Sequence, residues 1–348
     1  MEERTWYSLN LMRFVFSIIV VLFHVNILKN GYISVEFFFF LSGAFLYKKV
    51  NDPNREFNLH KYMKSRIIGF LPYTTITIFG TALIYIIYNT LPLGDCIRLL
   101  ERALLESTLL DGFGIVGQSL TLSTGMMIEV LIDRHLWYIM CLVIMTPFAV
   151  LFFKAKDKTY LPFISLMLYG ILEVKFGSVG EFASYEWTWI KPCIRTLAGL
   201  LLGGYIMSAR NIFCFYGTKT KRLIASYIAL ACSLGLIIFD ERFTEYNMSE
   251  YLMIILFTLY LIFTFSTKEC KIFEIEQVQK ICNFLGKLSL GIYCYHPMAQ
   301  VIFSVYFPTT NITEHALEVI VFSILLTLLT LYGIKLIKRQ GKKKLQPV

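Results

Sequence analysis

Charge is scarce in this 348-residue chain: Asp, Glu, Lys and Arg make up 16% of it, where a soluble domain carries about a quarter. With 56% of residues hydrophobic and a mean hydropathy of +0.62, that shortage excludes an ordinary soluble globular protein. The eight cysteines form no Cys-x-x-Cys pair and no metal-ligand spacing. Most lie in apolar runs, so they read as structural thiols, with a Cys96–Cys193 bridge as a remote option. The five histidines contain no His-Glu-x-x-His pattern, and no metal is expected from the sequence. There is neither a Gly-x-x-x-x-Gly-Lys-Ser/Thr loop nor a Gly-x-Gly-x-x-Gly turn, which removes the usual support for ATPase or nicotinamide chemistry. Acidic residues are the scarcer sign, leaving a net charge of +9. In a soluble protein that balance would suggest nucleic acid; in a membrane protein it reports sidedness.

What is present is apolar sequence in blocks. Runs separated by charged loops lie at about 11–28, 32–47, 67–88, 135–153, 160–174, 190–208, 223–239, 250–266, 284–306 and 315–334. At roughly 20 residues per span, they predict an all-α, polytopic membrane protein with about ten transmembrane helices. Arg13 interrupts the first run and no small-residue cleavage site follows it, so this run reads as a span and not a cleavable signal. Placing both termini in the cytoplasm puts 24 of the 33 Lys and Arg on the inner side, as the positive-inside rule requires. Lys342, Lys343 and Lys344 fit that side as an anchor next to membrane lipids, and no nucleic-acid partner is expected. The organisation expected is a single transmembrane domain over 1–340 and a basic cytoplasmic tail over 341–348, located in the cell membrane. One long outer loop, about 89–134, sets Ile97, Leu100 and Leu104 opposite Arg98, Glu101 and Arg102, which predicts an amphipathic helix lying on the interface. Gly112, Gly114, Gly117 and Gly125 then punctuate an irregular stretch.

Ionisable residues inside apolar runs are costly and mark function by default. Arg13, His24 and Glu36 crowd the first two runs. His24 and Glu36 each lie six residues from Asn30, near the centre of the turn, which puts both roughly 9 Å below it on adjacent antiparallel helices. A carboxylate at that depth can hold one imidazole nitrogen and leave the other as a base; an interhelical pair with a purely structural role is the competing reading. Arg13 and His24 are eleven residues apart, about 16 Å along one helix face. A cation towards the cytoplasm and a base towards the outside suit a reaction between a phosphorylated donor inside and an acceptor outside.

These residues resemble a known family. Arg13…His24 followed by Gly31-Tyr32-Ile33-Ser34-Val35-Glu36-Phe37-Phe38-Phe39-Phe40-Leu41-Ser42-Gly43 is similar to the signature of the membrane acyltransferase-3 family, with Ser34 where that pattern usually has its second glycine. Arg66 with Pro72 resembles the family's R-x-x-R-hydrophobic-x-P segment, although Gly69 stands at the second arginine. His135-Leu136-Trp137-Tyr138 resembles an H-L-W-Y/F motif opening a later helix. Ser289 to His296 resembles a motif near the C-terminus that ends in histidine. The resemblance spans essentially the whole chain.

It implies an integral membrane O-acyltransferase. The group moved, acetyl by expectation, would pass from cytoplasmic acyl-CoA to a hydroxyl of an extracytoplasmic carbohydrate, lipid-linked glycan or other envelope acceptor. Acetyl-CoA is then a donor substrate and no cofactor is permanently bound. His24 matches the catalytic histidine, as general base or as transient acyl carrier, and Glu36 the acidic residue that orients it. Arg66, with Arg13, is implied in donor binding. His135, Trp137 and Tyr138 are expected at the acceptor mouth, unless the aromatic pair only marks the interface. Arg195 would bind an anionic acceptor or the oxyanion, or snorkel, and His296 would bind acceptor or sit as a core histidine. The rival class is a transporter using the same His, Glu and Arg groups as gate or proton relay; no inverted repeat of the kind common in transporters is visible.

Overall fold

The computed structural model describes residues 6–108, 120–123, 127–128, 132, 134–177, 190–215, 217–239, 248–267 and 269–344. Among these, every apolar run anticipated from the sequence is helical. The helices are α1 (Tyr7–His24), α2 (Ser34–Val50), α3 (Leu59–Tyr88), α4 (Leu93–Ser107), α5 (Trp137–Lys154), α6 (Leu161–Phe176), α7 (Ile190–Phe213), α8 (Lys219–Phe239), α9 (Met248–Ser266), α10 (Glu276–Tyr306) and α11 (Ile312–Lys344). Residues 345–348 and the glycines of the outer loop, Gly112, Gly114, Gly117 and Gly125, lie outside the described residues. A two-residue antiparallel ladder pairs Leu120 with Ile128 and Thr121 with Met127.

Seven helices, α1, α3, α5, α7, α8, α9 and α11, are long and apolar enough to cross a membrane. The other three of the ten expected runs, α2, α6 and α10, are shorter or less apolar than these seven. α2 has 17 residues and α6 has 16, or about 26 and 24 Å at 1.5 Å per residue, against a hydrocarbon core of about 30 Å. α10 is long enough at 31 residues, but Tyr293, Tyr295, His296, Pro297 and Gln300 dilute the hydropathy of its central stretch. Together the helices form a multi-pass membrane bundle. Its outward side chains are large and apolar, among them Leu83, Ile87, Leu151, Phe163, Val174 and Leu329, as a surface facing hydrocarbon requires.

α2 and α7 form the tightest seam. A Cβ built on Gly43 would sit 2.1 Å from the carbonyl oxygen of Leu200, and one on Gly203 equally close to that of Phe40. Small residues let two backbones meet where no hydrophobic drive separates helix from lipid. Phe37, Phe39 and Phe40 of α2 are fully buried, so the phenylalanine run packs the bundle interior and does not face lipid.

The predicted interfacial helix is α4, and its burial is reversed relative to a soluble protein. Asp95, Arg102 and Glu106 are buried while Leu93, Ile97, Leu100 and Leu104 are exposed. The exposed leucine-rich stripe recurs every three or four residues, the pattern of a helix with its apolar face in acyl chains. Its polar side grips the following loop: Asp95 accepts from the Ser123 amide at 2.8 Å and from the Ser123 hydroxyl, and Glu106 accepts from the Ile132 amide at 2.8 Å.

Candidate active site

α1 ends at His24. The chain turns through Asn26, which adopts a left-handed φ of 62°, and re-enters through a 3-10 turn at Gly31–Ile33. Gly31 is needed here because a Cβ would lie 2.6 Å from that of Phe23 and 2.8 Å from the Ile19 carbonyl oxygen. At the end of α1 the His24 ring meets two histidines from other elements. Its centroid lies 4.2 Å from that of His135, edge-on, and 5.0 Å from that of His296, nearly stacked. His135 and His296 are 5.3 Å apart. His135 sits on the 3-10 turn Arg134–Leu136 that opens α5, and His296 in the middle of α10. His24 and His135 are half-buried, His296 fully buried.

The sequence itself sets the state of His296. Pro297 has no N–H, so the carbonyl of Tyr293, four residues back, loses its helical partner. His296 Nδ1 donates to that carbonyl at 2.8 Å, because a carbonyl can only accept. The proton is therefore on Nδ1 and the lone pair on Nε2, which is buried with no hydrogen-bond partner. The Tyr293 hydroxyl in turn donates to the His135 carbonyl at 2.6 Å. Tyr293 was not among the expected site residues, although its place one turn before a His-Pro pair was visible.

Glu36 departs from expectation. It lies in the first turn of α2 and is fully buried, but its carboxylate does not hold His24. Oε1 accepts from Arg195 Nε in a buried ion pair, and Oε2 accepts from the Tyr169 hydroxyl. Arg195 Nη2 also donates to the Tyr32 carbonyl at 3.1 Å, and its guanidinium lies 5.3 Å over the Trp137 ring. The Tyr32 hydroxyl donates to Glu250, another buried carboxylate. Depth along a helix gives height and not azimuth, and a buried guanidinium without a counter-ion costs several kcal/mol. That demand turns Glu36 towards α6 and α7. Arg195 is thus buried and paired with Glu36, and does not snorkel.

Towards the other end of α1 the remaining predicted residues gather. Arg13 lies within electrostatic reach of Arg66 and Tyr138, and the Tyr138 hydroxyl faces Ser42. Arg66 donates from Nε to the Tyr62 hydroxyl at 3.0 Å and rests over the Tyr62 ring. A narrow cleft opens here between α2, α3, α5 and α7, lined by Ser42, Tyr62, Arg66, Phe70 and Thr146 among others. A Cβ at Gly69 would meet nothing within 4 Å, and Gly69 is not among the residues lining the cleft. Between the poles, Tyr138 packs on Phe38, Phe39 and Tyr293, and Trp137 on Phe39. All eight cysteines are free, and Cys193 lies beside Cys141, with sulfurs 3.9 Å apart. It has no bond to Cys96, whose thiol donates to the Leu91 carbonyl.

The family profile described as an acyltransferase domain matches residues 6–338. No curated protein and no solved structure matches the chain. The match begins one residue before α1 and ends in the last turns of α11, so it takes in both the histidine cluster and the arginine cleft: the chain belongs to the acyltransferase-3 family and is a membrane acyltransferase.

Proposed function

We propose that this protein moves an acyl group, acetyl by preference, from cytoplasmic acyl-CoA to a hydroxyl of an extracytoplasmic carbohydrate or other cell-envelope acceptor, with His24 as general base. The observation that carries this reading is the pairing of opposite chemistries along α1. Three imidazoles stand at its C-terminal end, and Arg13 stands roughly 16 Å away on the same helix, within electrostatic reach of Arg66, which lines the cleft. Arginines suit the phosphates of coenzyme A, because guanidinium stays charged and binds phosphate in a fork. The donor's long thiol arm would run from that cleft past Tyr138 towards His24. There the acceptor hydroxyl gives its proton to the imidazole, its oxygen attacks the thioester carbonyl, and the carbon–sulfur bond breaks to release the thiol. Glu36, held by Arg195 and Tyr169, acts as a positioning residue that fixes the start of α2 against α6 and α7.

The test is transfer from radiolabelled acetyl-CoA into envelope material in isolated membranes. His24→Ala is expected to lower incorporation by about 10²–10⁴-fold, the range for loss of a general base, with the protein still present at wild-type level. Undiminished incorporation would overturn the role of His24. For the donor, acetyl-CoA should protect the Arg66 end from labelling; protection confined to the His24 end would overturn the donor assignment.

A further inference from the structure

We propose that His24, His135 and His296 form a binding site for one divalent transition-metal ion of the zinc class. One ligand nitrogen from each ring lies within 4.8 Å of the others. In a tetrahedral site with zinc–nitrogen bonds of about 2.0–2.1 Å, neighbouring nitrogens stand roughly 3.4 Å apart and ring centroids about 5 Å apart. The observed centroid separations of 4.2, 5.0 and 5.3 Å bracket that value, so shortening the nitrogen separations by at most about 1.4 Å closes the site.

Two further observations point to a ligand. His296 Nε2 is a fully buried polar atom with no hydrogen-bond partner, and a ring nitrogen is not left so without cost. Its Nδ1 donates to a backbone carbonyl, the outer-shell bond that fixes the tautomer and orientation of a metal-bound imidazole. Pro297 frees that carbonyl, and Tyr293 ties the same turn to the backbone of His135. Three neutral nitrogen donors select zinc, copper, nickel or cobalt over magnesium or calcium. Three protein ligands also leave a fourth position, which would face the half-buried side of the cluster, where His24 and His135 are accessible. The sequence hides this site because its ligands are 111 and 161 positions apart and carry no spacing signature.

The inference goes beyond the proposed reaction and constrains it. An ion bound at all three rings takes the lone pair that His24 would use as a base, so the metal-bound and base-competent forms exclude each other.

The experiment uses the full chain without a polyhistidine tag, purified in detergent, stripped with chelator and titrated with zinc by calorimetry, with metal content measured after dialysis. One zinc per wild-type chain is expected. His296→Ala and His135→Ala should bind at least about tenfold more weakly, and Pro297→Ala, which keeps all three ligands but restores the competing helix bond, should weaken binding by about 10–100-fold. Cobalt in the wild type should give the visible bands of a four-coordinate site. Failure of the folded wild type to bind zinc, or equal binding by wild type and the His135 and His296 variants, overturns the proposal. Transfer activity separates this inference from the reaction above. Zinc loading is expected to suppress transfer; stoichiometric binding with stimulated transfer would leave the site standing and overturn the base role of His24.

Discussion

Two polar clusters lie near the α1–α2 turn, and they are built to opposite rules. Around Glu36 the charges are sealed and answered: Arg195 and Tyr169 occupy both carboxylate oxygens, and Glu36, Arg195, Tyr169 and Glu250 are all buried. Around His24 the arrangement is more open: His24 and His135 are half-buried, and His296 Nε2 is buried with no hydrogen-bond partner. A satisfied buried network holds helices together and gains nothing from a ligand. An unsatisfied nitrogen beside an opening gains a great deal from one. The sequence gives His24 and Glu36 equal standing as intramembrane ionisable residues; the structure pairs Glu36 with Arg195 and Tyr169 and places His24 beside His135 and His296.

That contrast can be broken in several ways. The largest effect expected is on activity: His24→Ala removes about 10²–10⁴-fold of transfer while its thermal unfolding matches wild type. A large loss of stability in this variant would place His24 with the structural cluster. Next is Arg195→Met, which strands Glu36 in the bundle and should destabilise it by about 3–5 kcal/mol. The double variant Glu36→Leu with Arg195→Met should recover most of that loss, since two apolar side chains replace both charges. A double variant as unstable as the single one would show that the ion pair is not what the site depends on. Tyr169→Phe removes one hydrogen bond to a charged acceptor and should cost about 1.5–3 kcal/mol, read by the same unfolding measurement.

The smallest effect concerns a third carboxylate, outside the spans. Hydrogen bonds from the Ser123 hydroxyl and amide hold the Asp95 carboxyl below its ordinary range. A depressed folded pKa makes this tie complete above the ordinary carboxylate pKa, and the tie is lost as pH falls through the folded value. The protection of the Ser123 amide against hydrogen exchange, relative to its intrinsic rate at each pH, should therefore fall on acidification in the wild type. In Asp95→Asn the exchange should be faster at neutral pH and lack that response. An unchanged profile would remove Asp95 from the anchoring of α4.

Legibility followed the range of the interaction. All ten apolar runs and the amphipathic α4 could be read because each depends on neighbours within a turn or two. Pro297 likewise settles the tautomer of His296 from four residues of sequence, although only the structure drew attention to it. The partner of Glu36 could not be read. Tyr169 and Arg195 are 133 and 159 positions away, and nothing in periodicity distinguishes them from His24. α2, α6 and α10 differ from the other seven runs in length or polarity and not in being runs.

The sequence by itself determined that the chain is a helical membrane protein with Arg13 and His24 on one helix, because composition, run length and the rise of a helix are local properties. Only the tertiary structure decided which buried charges neutralise one another, and that His24, His135 and His296 share one pocket. Those outcomes depend on the azimuth at which helices meet. In this bundle it is set by packing such as the glycine seam of α2 and α7 and by the counter-ion that a buried arginine requires.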